Sequence, residues 1–104
     1  MSHCHVDLLE AAIDVSVSLR RWQEADRYLA ALQDYMRPEP FPWGDFLIRR
    51  GRALVNAGQE EEGGGTPALR ETLRQLRDEA HAAGLHASLG AIDAELKRLA
   101  AERN

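Results

Sequence analysis

The sequence holds a single cysteine, Cys4, in 104 residues. No disulfide can close within the chain, and a reducing cytoplasm is the home this predicts. No apolar run approaches the roughly 20 residues that cross a bilayer, and no charged-then-apolar leader opens the chain, so neither membrane insertion nor secretion is expected. Basic residues are outnumbered, 13 against 17 acidic, for a formal charge of -4. Beyond short pairs such as Arg20-Arg21 and Arg49-Arg50 no basic block stands out, which argues against nucleic acid as a partner. The G-x-x-x-x-G-K-[ST] phosphate loop is missing. The length suits one domain with a modest core rather than a large catalytic fold with its own cofactor domain.

What is present is helical periodicity. Between positions 5 and 19, Asp7, Glu10, Asp14 and Ser18 recur at three and four residues while apolar side chains fill the rest. This predicts a helix with a narrow solvent stripe, sandwiched between others. A second helix, 22–36, aligns Trp22, Ala25, Leu29, Leu32 and Met36. Prolines 38, 40 and 42 stop it, since proline lacks the N–H of a helix interior and extends the residue before it. Spacing resumes over 43–57 through Phe46, Leu47, Leu54 and Ala57, and Gly58 suits the left-handed position past the end. The run QEEEGGG, 59–65, predicts a mobile exposed loop. Thr66 and Pro67 then read as a hydroxyl cap and a first-turn proline, opening a helix over 66–83 with Leu69, Leu73, Leu76 and Ala80 on one seam and Gly84 at its end. A last helix, 88–101, aligns Leu89, Ile92, Leu96 and Leu99, with the final residues frayed.

The fold class is therefore all-α. About five antiparallel helices, joined by short connections, form one domain over 1–104, stacked as helical hairpins in a fragment of an α-solenoid. Trp22, Ala25, Tyr28 and Leu32 supply the alternating large and small residues of a tetratricopeptide-like crossing. In GRALVNAG, Gly51 and Ala53 stand where two backbones could approach.

The letters of RRWQEADRYLAALQDYMRPEPFPWGDFLIRRGRALVNAG, residues 20–58, add a resemblance. A Trp-led helix ending in ALxDYxRxEP and running into PWxDFxIxRGRAL resembles the C-terminal helical-repeat region of bacterial proteins that join a class III adenylate or guanylate cyclase domain to an ATPase module and a tetratricopeptide-like tail. The likeness spans His3 to Leu99 and is densest from Trp22 to Gly58. It implies a helical scaffold at the end of a large signalling protein. It implies no activity for this chain, because the paired metal-binding aspartates of a cyclase have no match here.

Candidate chemistry is sparse. His3, Cys4 and His5 are metal-ligand types, but they would need further ligands from elsewhere, and a packed or frayed first turn is the expectation. His81 and His86 read as surface residues. Asp7, Glu10 and Asp14 could serve as paired carboxylates; with no nucleophile or oxyanion donor beside them, a solvated helix face is expected. The segment from Pro38 to Leu54 reads as a structural corner built by Trp22, Glu39, Phe41, Trp43, Arg49, Gly51 and Arg52. In this reading Phe41 and Trp43 plug the gap between hairpins, and Glu39 pairs with Arg49 or Arg52.

The function expected is a non-enzymatic interaction module that contacts a protein partner or itself, as in a homodimer, through the apolar helix at the N-terminal side. It would use no cofactor, nucleic acid or membrane. The alternatives are a stand-alone helical adaptor, or a bundle that binds a small ligand or metal through Ser2 to His5 and the other histidines, His81 and His86.

Overall fold

The helices predicted from periodicity form, with boundaries that shift for identifiable reasons. The computed structural model describes residues 3–59 and 67–103. Helix α1 spans His3–Ser18, α2 Trp22–Met36, α3 Pro42–Gln59, α4 Pro67–Ala83 and α5 Leu89–Arg103, with a 3₁₀ turn at His86–Ser88 before α5. Among the described residues there is no strand. The expected loop at 59–65 and the Thr66 cap fall, apart from Gln59, outside the described residues.

Both α1 and α4 close with the same backbone device. Arg21 N–H donates to Ser16 O at 2.8 Å and Arg20 N–H to Val17 O at 3.0 Å; Leu85 N–H donates to Ala80 O at 2.8 Å and Gly84 N–H to His81 O at 3.2 Å. These paired bonds satisfy carbonyls that the last helical turn leaves open, and they require a left-handed residue just past the end. Gly84 takes that conformation freely at φ 74°, whereas Arg20 adopts it at φ 59° with a side chain, at a cost of about 1 kcal/mol. Helix α3 starts one residue earlier than its spacing suggests. Pro42 occupies the first helical position, where a missing N–H costs nothing, and Asp45 N–H donates to Phe41 O at 3.0 Å. The proline triplet thus ends one helix and opens the next.

The core is continuous across all five helices. Val6, Leu9, Ile13 and Val17 of α1 meet Ala25, Leu29, Leu32 and Met36 of α2 and Phe46, Leu47, Leu54 and Ala57 of α3. Leu73, Leu76 and Ala80 of α4 extend it to Ile92 and Leu99 of α5. Helix α1 packs on α2 and α3, α3 on α4 and α5, and α4 on α5, giving a radius of gyration of 13.3 Å, close to the roughly 13 Å of a compact 100-residue domain.

Two glycines of α3 are packing residues. A Cβ on Gly51 would lie 2.4 Å from Leu29 Cδ2, so the absence of a side chain lets α3 sit directly against α2. Gly58 does not cap α3 as its position near the end suggests: it lies inside the helix, and a Cβ there would reach within 2.1 Å of the Trp22 ring. A Cβ at Gly90, in contrast, meets nothing within 4 Å. Gly51→Ala should therefore lower the free energy of unfolding by about 1–3 kcal/mol through overpacking against Leu29. Gly90→Ala should raise it by about 0.5–1 kcal/mol through lower backbone entropy in the unfolded chain. Urea unfolding of the two variants beside the parent chain measures both.

Candidate functional site

The acidic stripe of α1 does not face solvent as expected. Asp7 is exposed, but Asp14 is half-buried and Glu10 is only 7% exposed. Both carboxylates converge on Arg50 of α3, which is 1% exposed. Arg50 Nη2 donates to Asp14 Oδ2 at 2.7 Å and its Nε to the backbone carbonyl of Ser88 at 3.0 Å. Nη1 lies 3.8 Å from Glu10 Oε2, and the Ser88 hydroxyl donates to that same oxygen at 2.5 Å. A guanidinium taken out of water survives only with its donors matched and its charge balanced. Here α1 supplies the charge and the 3₁₀ turn before α5 supplies a carbonyl. The cluster joins three parts of the chain, with Ser88 and Glu10 78 positions apart.

A second polar node lies on α5. Glu95 interrupts the expected leucine seam and is buried. It is paired with Arg98 and stands 3.5 Å from Arg20 Nη1, while Arg98 Nη2 donates to Ala57 O at 3.0 Å. Arg20 also lies over the Trp22 ring, 5.5 Å from its centre.

Turning α1's carboxylates inward leaves its opposite stripe outside. Leu8 is 68% exposed, Val15 57%, Leu19 57% and, on α2, Tyr28 37%. These four border one groove of about 290 Å³ with Ala11, Ala12, Arg21 and Glu24. Contiguous exposed apolar surface of this kind marks contact sites in soluble proteins. A cleft of different character, about 630 Å³, lies between α4 and α5, where Arg70, Arg74, Arg77 and Lys97 face Asp93.

The residues assigned to one corner are spread along α3, with Phe41 and Trp43 at its start and Trp22 against Gly58 near its other end, and the predicted ion pair does not form. Phe41 and Trp43 are half-buried against the core, their ring centres 6.2 Å apart, and Trp22 covers Gly58. Glu39 is exposed, while the arginines assigned to it bind elsewhere. Arg49 forks onto Glu79 of α4, with Nη1 to Oε2 at 3.0 Å and Nη2 to Oε1 at 2.7 Å, and its Nε reaches Asp45 at 3.2 Å. Arg52 donates to Gln33 Oε1 at 2.7 Å. Glu39 follows the end of α2, whereas Arg49 stands two turns into α3, on the side that faces α4.

The side chains of His3 and Cys4 lie outside the described residues. The His5 ring packs on Tyr35 at 4.7 Å between centres, and His81 and His86 stand edge to face at 6.0 Å on the exposed surface. Among the described residues no group of three or more His, Cys, Asp or Glu could hold a metal ion, and no helix is long and apolar enough to cross a membrane. No family model, curated protein or solved structure matches this chain.

Two stability outcomes follow from these pairs. Arg50→Met should cost about 3–5 kcal/mol because it strands Glu10 in the interior. Adding Glu10→Gln to Arg50→Met should recover part of that loss, which paired denaturant titrations measure. The Arg49 hydrogen bond holds the Glu79 carboxyl below its ordinary value. Its contribution is therefore full above the ordinary glutamate range and fades as pH falls through the lower folded-state value. Since both groups are nearly half exposed, Glu79→Gln should cost no more than about 1 kcal/mol near neutrality. Its midpoint should merge with that of the parent chain in strong acid.

Proposed function

We propose that this chain is a non-catalytic helical interaction module, a tetratricopeptide-like stack of hairpins that recognises another polypeptide through the outward stripe of α1. One observation carries the reading: the exposed large apolar side chains among the described residues, Leu8, Val15, Leu19 and Tyr28, gather in one groove between α1 and α2. Scattered exposed leucines are ordinary, but their collection on one face at helical spacing is the composition of a contact surface. The charged residues of α1 reinforce the reading, because Glu10 and Asp14 are committed to Arg50 and do not interrupt the stripe.

The resemblance of residues 20–58 to the tail of cyclase-type signalling proteins supports a place for this module at the C-terminal end of such a protein, in the cytoplasm. Catalysis would then reside in another domain, and the helices here would position it or dock its regulator.

Photo-crosslinking in the native cell tests the docking surface. With benzoylphenylalanine in place of Tyr28, irradiation should yield a discrete adduct that Val15→Glu reduces at least about tenfold, since a charge in an apolar contact is costly. The same probe at Arg74, on α4, should give no such adduct. Absence of a Val15-dependent adduct from position 28 would overturn the reading. An antibody against the chain also reports the mass of the native polypeptide, and a band far above 11.6 kDa is the result expected for a module of a larger protein.

A further inference from the structure

We propose that the partner of the α1 stripe is α1 of a second copy, packed antiparallel about a two-fold axis. The proposal rests on the interaction-module reading and specifies its occupant. Leu8, Ala12, Val15 and Leu19 are spaced four, three and four residues apart, the alternation of a coiled-coil seam. They are flanked on the exposed side by Ala11 and Ser18, small enough for two helices to approach closely. The stripe is also its own complement when reversed: with the axis between Ile13 and Asp14, Leu8 meets Leu19 of the second copy, and Ala12 meets Val15. A two-fold contact requires such self-matching, because both copies present the same surface.

Charge selects the antiparallel direction. Asp7 is exposed at the start of the stripe and Arg21 just past its end, and Arg21 borders the groove. Reversal brings the Asp7 end of each helix to the Arg21 end of the other and opposes their dipoles. A parallel pair would place acid beside acid and base beside base. Arg21 keeps its contact with Glu24 at 3.5 Å, so the seam is bordered by charges of both signs at that end. Between the ends the outward stripe is uncharged, since Glu10 and Asp14 are turned onto Arg50.

Sedimentation of the purified chain, together with site-directed crosslinking, tests the arrangement. The parent chain should show a concentration-dependent monomer–dimer equilibrium, and Val15→Glu should weaken the dimer on the order of 100-fold by setting a carboxylate against Ala12 of the other copy. Val15 is exposed, so the variant should keep the helical content of the parent chain, which circular dichroism checks. In a Cys4→Ser background, a short bis-maleimide should link Leu8→Cys/Leu19→Cys chains into dimers. Within one chain those positions lie about 16 Å apart along the helix, beyond its reach. Leu8→Cys alone should not link. Sedimentation as a monomer at every concentration, or efficient linking by Leu8→Cys alone, would overturn the proposal. A monomer that still gives the Val15-dependent adduct at position 28 in cells would overturn the dimer while leaving the interaction module intact.

Discussion

Arg50 is the constraint around which the helices are arranged. A guanidinium with 1% of its surface exposed must be met on several sides, and no single neighbouring helix can do that. Asp14 and Glu10 come from α1, and the Ser88 carbonyl comes from the turn that leads into α5. Hydrophobic burial would accept many rotations of α1 about its axis. The need to neutralise Arg50 accepts few, and it fixes which stripe of α1 faces inward. The exposed apolar groove is the other side of that choice: a helix with two apolar stripes and one acidic edge cannot turn the edge inward and hide both stripes in a stack of five helices.

Helices were legible in the sequence because period and punctuation agree. Prolines at the first turn of α3 and α4, Gly84 after α4, and leucines at three- and four-residue spacing are local signals, and local signals decide where a helix forms. The orientation of α1 was not legible, since it depends on a partner 36 positions away in Asp14's case. Read alone, Asp7, Glu10 and Asp14 form a solvent stripe. Only a buried arginine elsewhere makes two of them interior, and the pair Arg49-Arg50 does not reveal which member turns inward. Glu95 was hidden for the same reason, lying between leucines whose spacing already accounted for α5. The ion pair assigned to Glu39 failed on geometry, because Arg49 points across to α4. Gly58 shows the limit of punctuation, since a glycine near a helix end can serve a tryptophan on another helix instead of a cap.

Polar contacts between helices tie α3, α4 and α5 each to an earlier helix. Arg52 reaches from α3 back to Gln33 of α2, Arg49 holds Glu79 of α4, and Arg98 of α5 donates to the carbonyl of Ala57. Surface pairs of this kind add little energy singly. Their value lies in register: a carbonyl or a bidentate carboxylate accepts its partner over a narrow range of helix positions, whereas leucines tolerate sliding.

Arg20 links the two ends of the chain. Its left-handed backbone turns α1 into α2, and its side chain lies over Trp22 and beside Glu95 of the last helix. In a linear repeat array each unit touches only its neighbours, and terminal units can melt while the middle persists. Here the turn after the first helix is in contact with the last, so loss of α5 together with the 3₁₀ turn before it would leave Arg20 and the Arg50 cluster incomplete together. The first two helices are thus coupled to the last by side chains, on top of backbone contacts that run between nearer helices, and local opening at either place is expected to disturb the other.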